Sequence, residues 1–187
     1  MPDIKLPKAL NLPNILSISR VFLVPIVMVF LTMRTQFGFI EGVNIGDLLA
    51  GLVFIIASLT DAADGYIARR HGMVTNLGKF IDPLADKIMV VAALVALVEL
   101  HRVPAWMVVI IIAREFIVTG LRMIAASEGV VIAASSGGKL KTVSQIVGIS
   151  LLIFNIPYGM LVMWLAMFLT LWSGMDYLIK SKSLLEK

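Results

Sequence analysis

Apolar residues gather along this chain in long runs separated by short polar breaks. Six such runs stand out, at about Ile15–Met33, Leu48–Ile67, Phe80–Leu100, Ala105–Ala126, Thr142–Ile156 and Tyr158–Ile179. A helix needs about 20 predominantly apolar residues to cross a bilayer, and most of these runs reach that length. The fifth is short, and Gly137–Thr142 can extend it. The pattern predicts an all-α fold, a polytopic membrane bundle of six transmembrane helices forming one domain over residues 1–187. Ahead of it, Met1–Asn14 interleaves Ile4, Leu6, Ala9 and Leu10 with Lys5 and Lys8. That segment reads either as a short interfacial helix on the membrane surface or as a disordered terminus. Its three prolines and mixed charges do not resemble a cleavable signal.

Composition strengthens the membrane reading. The chain is 59% hydrophobic and its mean hydropathy is +0.97. A soluble domain holds about 45–50% apolar residues, so much of this surface suits lipid. There is no cysteine, which excludes disulfides, thiolate metal sites and cysteine nucleophiles. The net charge of +4 fits anionic headgroups and cytoplasmic loops, and no nucleic-acid partner is expected.

Loop charges orient the bundle. With six spans, both termini share a side with the second–third and fourth–fifth loops. That side holds Lys5, Lys8, Arg69, Arg70, Lys79, Arg122, Lys139, Lys141, Lys180, Lys182 and Lys187; the opposite side holds Arg34 and Arg102. The bias places both termini in the cytoplasm of a cell with this protein in its inner or plasma membrane. Trp106, Trp172 and Tyr177 lie near run ends, where aromatic side chains anchor helices at the interface.

Ionisable residues interrupt the runs: Arg20, Asp61, Asp64, Asp82, Asp86, Lys87, Arg114 and Glu115. A charge at membrane depth costs a few kcal/mol, so each is a candidate functional group. A solvated helix end or a structural ion pair also accommodates such a charge, and Arg20 suits either. The aspartates carry more information. Asp61 and Asp64 are three apart and Asp82 and Asp86 four apart, so each pair lies on one helix face. A short basic loop joins the two helices, and this topology can gather four carboxylates at one depth. Their mutual repulsion calls for divalent cations. With oxygen donors alone, and His71 and His101 in loops, Mg²⁺ or Mn²⁺ is favoured over zinc. Gly65, Ala68 and Gly78 add small residues beside the carboxylates, suited either to close approach of a ligand or to helix packing.

Read together, Asp61, Asp64, Gly65, Ala68, Arg69, Gly78, Asp82 and Asp86 stand at the spacing of the CDP-alcohol phosphatidyltransferase signature. The match has no departure at a fixed position, and the six-run layout extends the resemblance over essentially the whole chain. The resemblance implies two-metal phosphoryl transfer from CDP-diacylglycerol, with the cations about 4 Å apart and CMP as leaving group. It implies Asp61, Asp64, Asp82 and Asp86 as metal ligands, with Asp86 also the catalytic base. Gly65, Ala68, Arg69 and Gly78 would bind CDP-diacylglycerol, and a homodimer is implied.

Outer segments resemble the branch of the family whose acceptor is glycerol 3-phosphate. They are Asn11–Arg20, Gly78–Lys87, Arg114–Phe116 with Gly120–Arg122, and Gly138–Thr142. A phosphate dianion needs basic partners, and Arg binds it through two parallel bonds. Arg114, Arg122 and Lys139, with Lys141, are the candidates. Glu115 would orient a basic neighbour, and Arg20 would pair with an aspartate or with Glu115. Inositol phosphate, serine and phosphatidylglycerol are the alternative acceptors. A divalent-cation transporter is the alternative outside enzymes, although it has no need of Gly65, Ala68 and Gly78 at these spacings.

Overall fold

The computed structural model describes the backbone of residues 12–70, 76–127 and 136–185, and the side chains of residues 15–61, 87–125 and 137–179. The described backbone holds six α-helices: α1 (Leu12–Thr32), α2 (Ile45–Arg70), α3 (Asn76–Glu99), α4 (Ala105–Ser127), α5 (Ser136–Ile153) and α6 (Gly159–Leu185). Each coincides with one apolar run. The fifth takes in Gly137–Thr142 and stops at Ile153, short of Ile156. Most of the N-terminal segment, residues 1–11, lies outside the described residues.

The chain divides into two compact units, Met1–Ala96 and Leu97–Lys187. In the first, α1 and α2 pack through Val27 and Leu31 against a stripe of Ala50, Phe54 and Ala57, all buried. The stripe follows the i, i+4, i+7 spacing of a helix face. Gly46 permits the contact where the helices meet. A Cβ there would lie 2.5 Å from the Phe30 carbonyl oxygen and 2.7 Å from the Arg34 Cα.

A hairpin absent from the sequence reading joins the two helices. β1 (Phe39–Ile40) pairs antiparallel with β2 (Val43–Asn44), in register Phe39 to Asn44 and Ile40 to Val43. Its two-residue loop has φ of 49° at Glu41 and 82° at Gly42, the left-handed pair that a tight two-residue hairpin needs. Asn44 then caps α2: its Oδ1 accepts from the Asp47 N–H at 3.3 Å. Asp47 is buried in the first turn, where the helix dipole favours a carboxylate, and Arg34 donates to it at 3.0 Å.

In the second unit α6 is the central contact. Met163, Ala166, Thr170, Ser173 and Tyr177 are buried along one face, at alternating steps of three and four. Gly148 of α5 meets Met163 so closely that a Cβ would stand 2.8 Å from its sulfur. Arg102 closes the C-terminal end of α5, its Nη1 donating to the carbonyls of Leu152 at 3.0 Å and Ile153 at 2.7 Å. These carbonyls lack a partner within the helix, and the dipole favours a cation there.

The protein is a helical membrane protein. Ile15–Thr32 and Gly159–Ile179 are long and apolar enough to cross a bilayer, with mean hydropathies of 2.3 and 1.4. Of the first window only 22% is buried, so its apolar side chains face outward, as lipid requires. Phe22, Ile26 and Val29 on α1 and Leu161, Leu165 and Phe168 on α6 are exposed in this way. Hydroxyls in the helices bond back to their own helix: Ser58 to Phe54, Thr119 to Glu115 and Thr170 to Ala166. These donors then need no water.

Candidate active site

The first unit carries the acidic motif. Asp61 and Asp64 lie one turn apart within α2, and Asp82 and Asp86 one turn apart within α3, so helical geometry puts each pair on one face, as their spacing predicts. The side chain of Asp61 is described. The side chains of Asp64, Gly65, Ala68, Arg69, Gly78, Asp82 and Asp86 lie outside the described residues.

Asp61 is held from the neighbouring helix. Arg20 of α1, 3% exposed, forms an ion pair through Nη1 with the Asp61 carboxylate, whose side chain stays 36% exposed. The sequence offered Arg20 an aspartate or Glu115, and the pair described is with Asp61. Asp61 therefore has a protein counter-charge from the neighbouring helix. The motif offers only carboxylate oxygens, in a chain without cysteine, and such donors suit a hard cation. Asp61 in particular combines an oxygen donor, partial exposure and a fixed orientation.

The second unit carries the basic residues. Arg114 of α4 lies against α6, where Nε donates to the Thr170 carbonyl at 3.2 Å and Nη2 to the Ser173 hydroxyl at 2.7 Å. Gly174 makes the seat, since a Cβ there would stand 3.1 Å from the Arg114 Cγ. Nη1 of Arg114 donates to Glu115 Oε1 at 3.0 Å, and the same oxygen accepts from the Lys141 ammonium of α5. One carboxylate thus joins two cations from two helices, with Lys141 only 5% exposed. Glu115 is paired with basic neighbours, as its position suggested.

Two turns along α4, Arg122 is exposed, and Tyr177 of α6 fixes it. Nε donates to the phenol oxygen at 3.0 Å, Nη2 donates to the same oxygen, and the guanidinium carbon lies 4.9 Å from the ring centroid. This corrects the reading of Tyr177 as an interfacial anchor: it is 1% exposed and supports an arginine. Trp106 and Trp172 are exposed as anchors would be. Lys139 is exposed in the first turn of α5. Arg114 and Lys141 are thus brought together through Glu115, while Arg122 has a separate support and Lys139 is open.

The α6 wall of Thr170, Ser173, Gly174 and Tyr177 was not foreseen. Its signal is a polar stripe at 170, 173 and 177, following the almost wholly apolar first half of the helix.

A family model described as CDP-alcohol phosphatidyltransferase matches residues 10–172. The chain belongs to this family. The match takes in the acidic motif and all four candidate basic residues, and it stops just before Ser173 and Tyr177. Among curated CDP-alcohol phosphatidyltransferases, a protein of Bacillus subtilis strain 168 is 45% identical over 183 residues, covering 91% of this chain and 95% of the relative. It is named CDP-diacylglycerol–glycerol-3-phosphate 3-phosphatidyltransferase. A protein of the same name from Rickettsia bellii is 35% identical over 176 residues, covering 89% of this chain and 93% of its own length. A probable phosphatidylglycerophosphate synthase of Mycobacterium tuberculosis is 38% identical over 178 residues, covering 91% and 81%.

Proposed function

We propose that this CDP-alcohol phosphatidyltransferase moves the phosphatidyl group of CDP-diacylglycerol to glycerol 3-phosphate, giving phosphatidylglycerophosphate and CMP. The observation that carries this reading is the complete eight-residue acidic motif in a chain whose relatives, matched over nearly their whole length, are named for that reaction.

Asp86 accepts the proton of the acceptor hydroxyl. The freed oxygen attacks the phosphorus bearing diacylglycerol, the bond from that phosphorus to the CMP oxygen breaks, and CMP departs. Asp61, Asp64, Asp82 and Asp86 would hold two Mg²⁺ or Mn²⁺ ions. When bound, these neutralise the pyrophosphate and polarise its phosphoryl oxygens. Gly65, Ala68 and Gly78 leave room for the donor, and Arg69 supports its cytidine diphosphate. Arg20 keeps Asp61 in place. Arg122, Lys139 and Lys141 neutralise the acceptor phosphate, with Arg114 setting Glu115 and through it Lys141.

The membrane arrangement is part of the same proposal. All six helices span the inner or plasma membrane, both termini and the active site face the cytoplasm, and the chain works as a homodimer. The charge bias of the loops and the lipid-soluble donor support the orientation, and membership of the family supports the homodimer.

The test incubates purified protein with CDP-diacylglycerol and, separately, glycerol 3-phosphate, serine, inositol phosphate and phosphatidylglycerol, following CMP release. Glycerol 3-phosphate is the expected acceptor. Turnover with another acceptor and none with glycerol 3-phosphate would reject the acceptor and keep the family chemistry.

A further inference from the structure

Gln145 lies in the middle of α5 and is 3% exposed, and its Nε2 has no hydrogen-bond partner among the described residues. A buried amide donor left unmade costs about 1–3 kcal/mol, and folded proteins keep very few. The neighbouring polar groups of α5 are satisfied. Ser144 donates to the Lys141 carbonyl at 2.9 Å, Ser150 to the Ile146 carbonyl at 2.8 Å, and the Lys141 ammonium is held by Glu115. Gln145 alone, among the described buried side chains of this unit, holds an unused donor.

Its position says what would use it. Gln145 follows Lys141 by four residues, so the two share a helix face with a rise of about 6 Å between them. That separation is comparable to the length of a phosphorylated three-carbon chain. Cations recognise the phosphate end of such a molecule through charge-assisted bonds. A neutral amide, which both donates and accepts, matches an uncharged hydroxyl instead. Glycerol 3-phosphate has two hydroxyls: one attacks, and the one on the middle carbon must be recognised without being deprotonated.

We infer that Gln145 is a specificity-determining residue that hydrogen-bonds the middle hydroxyl of the acceptor, an inference that rests on the acceptor reading proposed above. A site whose buried donor is satisfied only by the correct substrate rejects an analogue lacking that group. Gln145 takes no part in proton transfer and touches no phosphate.

The experiment compares glycerol 3-phosphate with 3-hydroxypropyl phosphate, which keeps the phosphate, the chain length and the attacking hydroxyl but lacks the middle one. The wild-type enzyme is expected to favour glycerol 3-phosphate by about tenfold or more in kcat/KM. Gln145→Leu, and the closer match in shape Gln145→Met, should lower kcat/KM for glycerol 3-phosphate by about tenfold and change the analogue by no more than about twofold. The preference then closes. Equal use of both acceptors by the wild type, a comparison that needs no variant, would overturn the inference. So would variants that lose activity equally on both, which marks Gln145 as a packing residue. Wild-type turnover with serine or inositol phosphate and with neither phosphorylated three-carbon acceptor removes the acceptor reading itself, and this inference with it.

Discussion

Arg20 of α1 and Asp61 of α2 form an ion pair between helices, one partner buried and the other partly exposed. The pair ties the packing of α1 on α2 to a member of the acidic motif. Breaking a buried pair costs about 3–5 kcal/mol; with Asp61 36% exposed, solvent lowers that to about 1–3 kcal/mol. Arg20→Gln should lower thermal stability in detergent and cut turnover at least tenfold by order of magnitude. Asp61→Asn should do the same, and Arg20→Gln with Asp61→Asn should destabilise by less than the sum. Strict additivity in thermal unfolding would show that the two side chains do not interact.

Chelation tests the cations. Activity in EDTA should fall to background and return when excess Mg²⁺ or Mn²⁺ is added, because four carboxylates at the spacing of the motif repel one another and call for divalent cations. Full turnover in the chelator would reject the proposed metal chemistry.

Base and ligand separate at Asp86. Asparagine keeps the shape of aspartate and cannot take a proton, so Asp86→Asn should lose turnover by roughly a hundredfold or more and retain most of its CDP-diacylglycerol binding. Asp64→Asn should weaken metal-dependent donor binding as well. Rate assays beside donor-binding isotherms make the comparison. Near-normal turnover by Asp86→Asn would remove its assignment as base.

The Arg122–Tyr177 pair predicts a split between substrates. Tyr177→Phe keeps the ring under the guanidinium and removes the oxygen that accepts from Nε and Nη2. The KM for glycerol 3-phosphate should rise about three- to tenfold, with the KM for CDP-diacylglycerol nearly unchanged. Arg122→Ala should produce the same split more strongly and reduce discrimination between glycerol and its phosphate. Initial rates with each substrate varied in turn decide it. Equal rises for both substrates would point to general loosening of α4 against α6.

Apolar run length was enough to locate every described α-helix, because long apolar stretches between short polar breaks satisfy their backbone as helices, whether they face lipid or one another. The hairpin escaped because two-residue strands are too short to show alternation. Its trace is Glu41-Gly42 between Phe39-Ile40 and Val43, a turn that left-handed φ values make possible. In the site, spacing alone placed each aspartate pair on one face. It left Arg20 open to an aspartate or to Glu115, and the pair with Asp61 comes from the packing of α1 on α2. Tyr177 was misread because a tyrosine at a run end looks alike whether it faces lipid or an arginine. Gln145 gave no warning, since one amide within an apolar run says nothing of its partners.

Arg34 and Arg102 are the two basic residues on the far side of the proposed topology, and both have structural work there. Arg34 answers Asp47, and Arg102 covers the carbonyl end of α5. In that orientation a membrane potential, negative inside, draws each uncompensated positive charge back across the bilayer with about 2.3 kcal/mol per 100 mV. Arg34 with Asp47 forms a neutral unit on which that force has no net hold, and Arg102 is partly offset by the negative pole of a helix, equivalent to about half a charge. In that proposed orientation the membrane potential has less uncompensated charge to act on at the far face than a count of arginines suggests.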